Sequence, residues 1–279
     1  MIFLNTLACP AQNRLKFLGR KPINILKMKI IPLVLALVST QVFAGGVATP
    51  VVPKTPTTVI ARMDQAQLLF NERANLEKGK EAIGLWEDVL KEDAKNYEAL
   101  WKLAKAYYWL GNHSLEKEQL DLFTKGKDYG ERAVKLYPDN WEGHYWLGVC
   151  LGRYGETRGI IKNLFLVKPI QKEMETVLKI NPSHAGAHHV LGVIYRKAPG
   201  RPLSVGNKKK ALRYAKKAVE LDPQSLKYAV GLAEVYLALD KKDDAKKTLE
   251  DVLAMPPNLT YGPESLEEKD QAQKLLAHL

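Results

Sequence analysis

The sequence predicts an all-α fold, a right-handed helical solenoid of four to five helix pairs with a C-terminal capping helix. Three observations lead there. From Ala61 onward the apolar residues recur at helical spacing, and almost nothing alternates as a strand would. Four segments repeat one pattern: EALWKLAKAYYWLG (98–111), EGHYWLGVCLGRYG (142–155), GAHHVLGVIYRKAP (186–199) and KYAVGLAEVYLALD (227–240). Each holds a large residue, then a small one, then an aromatic or Leu three further on: Leu103-Ala104-Tyr107, Leu147-Gly148-Leu151, Leu191-Gly192-Tyr195 and Leu232-Ala233-Tyr236. Each is followed by a second amphipathic segment that runs into a proline. Such self-similarity marks stacked helix pairs, none of which can bury its apolar face alone.

In chain order, residues 1–44 read as a leader and signal peptide. Ile30 to Val38 is an apolar run of nine, preceded by Lys27 and Lys29 and followed by Val42-Phe43-Ala44. That run is too short for a span, which needs roughly 20 residues, and suits the apolar region of a secretory signal cleaved after Ala44. The other reading is an uncleaved anchor. Translation could start at Met1 or at Met28, since the segment from Met28 is a complete signal by itself. Leu7-Ala8-Cys9 imitates the end of a lipoprotein box, but no apolar run precedes it, so lipidation there is rejected. Residues 45–60 carry Pro50, Pro53, Pro56 and four threonines and read as an extended linker.

The helical-repeat domain takes 61–279. A first, weaker copy lies in 63–94, with Ala82, Trp86 and Val89 on its second helix. The later second helices are YGERAVKLYPDN (129–140), METVLKINPSH (174–184), LRYAKKAVELDPQS (212–225) and LEDVLAMPPN (249–258). Ala133, Val177, Ala218 and Val252 are their contact residues, and proline stops each helix. Pro223 to Pro257 spans 34 residues, Pro182 to Pro223 41, and Pro138 to Pro182 44, so seven and ten residues are inserted between paired helices. LEEKDQAQKLLAHL (266–279) is the cap, with Leu266, Leu275, Leu276 and Leu279 as its apolar stripe.

Composition bounds the function. The chain has 279 residues, 46% hydrophobic and 26% charged, with a formal net charge of +11. Six of its 42 basic residues and no acid lie in 1–44, so 36 bases face 31 acids afterwards and the excess falls to +5. The lysine clusters at 208–210, 216–217, 241–242 and 246–247 fall on second helices, the solvated convex face. A nucleic-acid partner is therefore not expected. After the leader, Cys150 is the one remaining cysteine, read as a small buried apolar residue.

The repeated segments resemble the tetratricopeptide repeat, whose pattern is W-x2-L-G-x2-Y, then A-x3-F, then A, then P over 34 residues. The inserted stretches narrow the resemblance. The segments from Asn112 to Glu156 and from Gly159 to Tyr195, and RPLSVGNKKKALRYAKKAVELDP (201–223), resemble the T component of tripartite ATP-independent periplasmic (TRAP) transporters. The middle section with the ending MPPNLTYGPESLEEKDQA also looks like the regulator-of-microtubule-dynamics group. The T-component resemblance implies an exported, most simply periplasmic, helical protein that self-associates and partners an extracytoplasmic solute-binding protein. The chain departs from it in lacking a usable lipobox.

In such a solenoid the first helices line the groove. The repeat register turns Trp101, Lys105, Tyr108 and Trp109, then Tyr145 and Arg153, then His189, Arg196 and Lys197 into it. Aromatic residues and Arg dominate binding hot spots, and the basic middle suits a carboxylate. Trp101, Tyr108, Trp109, Tyr145 and Arg153 are the expected partner contacts. Trp101 or Trp109 could instead pack on the insertion 112–121. The apolar stretch 160–170 is read either as core or as an interface.

Chemical motifs are few. His184 and His188 are four apart but lack a third ligand, and His188 and His144 occupy packing positions. Residues 200–208 look superficially like a phosphate loop, but Asn207 intervenes before Lys208 and no Ser or Thr follows. Ser114 and Lys117 match a penicillin-binding signature by chance, without its partner motifs. No catalytic constellation, cofactor or metal is expected. The expected function is non-catalytic binding: a protein scaffold, or alternatively direct capture of a small, partly apolar anion in the groove.

Overall fold

The computed structural model describes residues 58–256 and 262–279, without the side chains of 160–163. The leader, most of the linker, Cys9 and Pro257 lie outside the described residues. Among the described residues there are eleven helices and no strand. Five pairs follow one another: α1 (Val59–Asn71) with α2 (Leu76–Glu92), α3 (Tyr97–Asn112) with α4 (Glu116–Leu136), α5 (Trp141–Thr157) with α6 (Ile160–Ile180), α7 (Ala185–Lys197) with α8 (Lys208–Leu221), and α9 (Leu226–Ala238) with α10 (Lys242–Ala254). The last helix is α11 (Glu264–Ala277). Successive pairs pack in order, α3 also touches α5, and α7 touches α9.

Local chemistry sets the helix ends. Tyr137, Asn181, Asp222 and Met255 each precede a proline and have ψ of 69°, 87°, 81° and 139°. Proline crowds the residue before it out of the helical region, so four second helices stop at the same place in the repeat. The next helices restart on caps: the side chains of Asn96 and His184 accept from the amides of Ala99 and Ala187, both at 3.0 Å.

The repeat residues are inside. Leu103, Ala104, Leu191 and Ala233, and on the second helices Ala133, Val177, Ala218 and Val252, are fully buried. So are Ala82, Val89 and Cys150, whose thiol burial pushes far up. Small residues let the backbones close. A Cβ on Gly130 would stand 2.9 Å from Cα of Leu147, so α4 and α5 meet there on bare backbone.

Two expectations are corrected. The ten-residue surplus in the α5–α6 pair is not a connector. It extends α6 to 21 residues, and α4 is likewise 21 against 14 for α8. Within 160–170, Val167 and Ile170 join the core while Phe165 is 78% exposed, so the stretch is divided between core and surface. Leu115 and Leu120 of 112–121 are also exposed. The seven-residue surplus of the next pair is a true connector, 198–207.

The second correction concerns α11. Ala272, Leu275 and Leu276 pack on α9 and α10, as a cap should, but Leu266 is 58% exposed. The acidic first half of α11 turns away from the end of the solenoid and reaches the first two pairs.

Candidate functional site

The concave face is built by the first helices, and its floor is aromatic. Tyr108 of α3 meets Trp146 of α5 at 5.9 Å between ring centroids, and Trp146 meets Tyr145 edge-on at 5.0 Å. Tyr145 lies against Gly186 of α7, where a Cβ would stand 2.6 Å from its hydroxyl. His189 of α7 rests on Gly231 of α9 and tilts against Tyr228 at 5.2 Å. Tyr145 and His189 thus pack on the bare backbone of the next first helix.

Two ammonium groups face this floor. Lys105 stands 5.6 Å from the rings of both Phe70 and Trp146. Lys227, at the start of α9, stands 5.7 Å from the Tyr108 ring and donates a long 3.5 Å hydrogen bond to its hydroxyl. Neither makes an ion pair within 4 Å among the described residues. Burial, aided by nearby Arg73, holds Lys105 below the usual lysine range. Tyr108 holds Lys227 above it, against the opposing effect of burial. Burial pushes His189 down to about 3, with Lys227 and Arg196 adding, so its imidazole is neutral at physiological pH. The floor therefore offers aromatic faces and two positive charges that lack a close carboxylate.

The register places nine residues in this groove, and the structure divides them. Lys105, Tyr108, Tyr145 and His189 come together on the floor. Trp101 is half-buried under the Lys102 ammonium, 5.6 Å away, and meets no other member of the cluster. Trp109 is a correction. It is 4% exposed in the first core cluster, edge-on to Phe70 at 6.0 Å and pressed on Gly79. Adjacent helix positions differ by about 100°, so Tyr108 can face the groove and Trp109 cannot follow it.

The basic middle is also corrected. Arg153 pairs with Glu156 at 2.5 Å and lies over Phe123, and Lys197 reaches the same carboxylate at 3.1 Å. Arg196 pairs with Glu234 at 2.7 Å. These three charges are answered within the chain. Sequence reasoning missed Trp146, passed over in α5 in favour of its neighbour Tyr145, and Tyr228. It also gave Lys227 no particular weight.

The histidines have structural partners. His184 caps α7. His144 and His188 each approach the carbonyl of the proline six residues earlier, Pro138 at 2.8 Å and Pro182 at 3.0 Å. The loop 200–208 ends with Asn207 capping α8 and holds no phosphate-loop geometry. The convex lysines of α8 and α10 are exposed, Lys217 excepted, which is half-buried.

At the rim, α11 bridges the last pair and the first. Arg73 donates through Nη2 and Nε to both oxygens of Glu264, at 2.7 and 3.1 Å. His113 joins the Trp109 carbonyl at 2.7 Å and the Glu267 carboxylate at 2.8 Å. With Arg73, Leu76, Trp109 and Pro263, these two line a cavity of about 210 Å³. Farther along, Gln271 donates to Glu234 at 3.2 Å, and the Lys269 ammonium donates to the Leu253 carbonyl at 2.9 Å. Burial pushes the Glu268 carboxyl up to about 7, with Lys227 opposing and Glu234, Glu267 and Glu264 adding.

Comparison with known proteins finds partial likenesses. The family model "Regulator of microtubule dynamics protein 1-3" matches residues 62–196, which covers most of α1 to α7, and a tetratricopeptide-repeat model matches 203–261. Regulator of microtubule dynamics protein 1 from Mus musculus is 26% identical over 54% of this chain and 55% of its own. The Bos taurus protein of that name is 26% identical over 64% and 60%. The chain thus spans little more than half the length of these relatives. Among solved structures, a thermophilic TPR protein from Thermus thermophilus superposes with a TM-score of 0.60 at 19% identity, over 79% of this chain and 100% of its own. That likeness concerns the fold. No described helix is long and apolar enough to cross a membrane.

Proposed function

For a chain that is a tetratricopeptide-repeat protein resembling the regulators of microtubule dynamics, we propose a scaffold whose concave face binds an acidic segment of a protein partner. One observation carries this reading: Lys105 and Lys227 stand on an aromatic floor without a carboxylate within ion-pair distance. A carboxylate brought between them gains charge-assisted contacts, and the rings supply rigid apolar area. The folds of such repeats serve protein binding, and this floor gives that role a chemistry. The signal-like leader supports a place outside the cytoplasm, most simply the periplasm. There a TRAP-type solute-binding protein is the partner class that fits the resemblance, and self-association follows from the same source. Microtubule regulation stays with the relatives, because an exported chain does not meet microtubules.

The test is a paired pull-down from the extracytoplasmic fraction. Tyr108→Ala/Lys227→Glu should lose a partner that wild type and the convex control Lys216→Glu/Lys246→Glu both retain. Equal recovery by all three baits would put the interface elsewhere. N-terminal sequencing of the recovered bait should begin at Gly45, and an intact leader would contradict export. Direct capture of a small, partly apolar anion draws on the same two ammonium groups. Native mass spectrometry showing a bound mass lost from Lys105→Ala would favour it.

A further inference from the structure

The rim helix α11 has features that a terminal cap does not need. A cap needs an apolar face toward the last repeat and a polar face toward water. The second half of α11 supplies that with Ala272, Leu275 and Leu276. Its first half carries Glu264, Glu267 and Glu268, spaced i, i+3 and i+4 and therefore on one face. Two of them are met by a cation from another element: Arg73, between α1 and α2, grips Glu264 with two donors, and His113 after α3 takes Glu267. Glu268 makes no ion pair among the described residues, and burial raises its carboxyl to about 7 with Lys227 of α9 opposing. Glu264 also raises the affinity of Lys105 for its proton. The chain is shaped for this return. Gly262, just before α11, has φ of +73°, and a Cβ there would stand 2.2 Å from Nη2 of Arg73. The docking is also shallow, since Ser265 and Ala272 are the buried residues of α11. Both family matches end by residue 261, so α11 lies beyond the matched repeats.

We infer that α11 is an internal competitor for the groove, and that the external ligand is a helix of the same kind: an acidic amphipathic segment of a partner protein with carboxylates at i, i+3 and i+4. This rests on the groove reading proposed above. The partner's acids take Arg73, His113 and Lys227, and α11 is released as they do. Because α11 is tethered, its local concentration is high, and only a ligand that also uses the aromatic floor displaces it.

The test uses the full chain and needs no native partner. The double variant Glu264→Lys/Glu267→Lys should exchange the amides of α11 at least about tenfold faster than wild type, with the protection of α2 to α9 unchanged. A fluorescent peptide of residues 262–279 should then bind that variant at least about tenfold more tightly than it binds wild type, whose groove is occupied. Arg73→Glu alone should also release α11, and Arg73→Glu/Glu264→Arg should restore its protection, which separates an ion-pair latch from general unfolding. Unchanged exchange in α11 of the double variant, or equal peptide affinity for both proteins, would overturn the inference. Peptide binding without any partner in the pull-down would leave α11 as the occupant of the groove and defeat the proposed scaffold role, and the external protein ligand with it.

Discussion

Trp109 and Trp146 show how differently one residue type is used along the repeats. Both are tryptophans on first helices, but Trp109 turns toward α1 and α2 while Trp146 turns to the groove. Trp109→Ala should therefore cost about 3–5 kcal/mol in denaturant unfolding, as a large core truncation does. Trp146→Ala, at a half-buried position, should cost far less stability and show its loss in partner binding. His144 offers a second prediction. One of its ring nitrogens faces Glu173 at 2.5 Å and the other the Pro138 carbonyl at 2.8 Å, two acceptors that favour the protonated ring, which donates from both nitrogens. The Glu173 hydrogen bond, against burial, holds its pKa above the ordinary value of 6.5. A raised pKa means that the stabilisation is complete below about pH 6.5 and is lost as pH rises through the folded value. His144→Gln should flatten that fall in a stability-against-pH series. The burial of His144 follows from its place in the repeat. Its charge does not, because Glu173 is 29 residues away on α6.

At the scale of elements, helix pairs were readable because their causes are local: apolar spacing, a small contact residue and a proline stop. Even the weak first copy follows from Ala82, Trp86 and Val89. The insertions were harder, since an added turn of helix and an added loop both lengthen the period. In α6 the surplus became helix because Val167 and Ile170 continue the buried stripe toward Met174 and Val177. Gly130→Ala should separate α4 from α5, since the new Cβ meets backbone and not a movable side chain. A cost of about 1–3 kcal/mol is expected in thermal or denaturant unfolding. The docking of α11 should depend on pH. Glu268, at about 7, and His113, held above 6.5 by Glu267 and the Trp109 carbonyl against burial, both favour the docked state when protonated. Lys227 opposes this for Glu268, and Glu234 and Glu264 reinforce it. As pH rises through about 7, α11 should loosen, read as faster exchange in α11 after correction for intrinsic rates.

At the scale of the whole molecule, the solenoid was legible and the path of α11 was not. Repeats are nearly one-dimensional, so each pair is specified by its own residues and its neighbours. How closely α9 approaches α3 depends on rotations summed over several pairs, and no residue announces that Lys227 meets Tyr108 119 positions away. Arg153, Arg196 and Lys197 are neutralised more locally, by Glu156 three residues on in α5 and by carboxylates of the neighbouring first helices α5 and α9, and Lys105 and Lys227 are left without a close carboxylate among the described residues. The central claim is that this concave floor is the binding surface. The most direct measurement places a photo-crosslinking amino acid at Trp146 on the floor or at Lys216 on the convex face, and irradiates the protein in its native setting. The account predicts one partner protein crosslinked from Trp146, lost when Lys227→Glu is added, and none from Lys216. Partner crosslinks from Lys216 with none from Trp146 would contradict it.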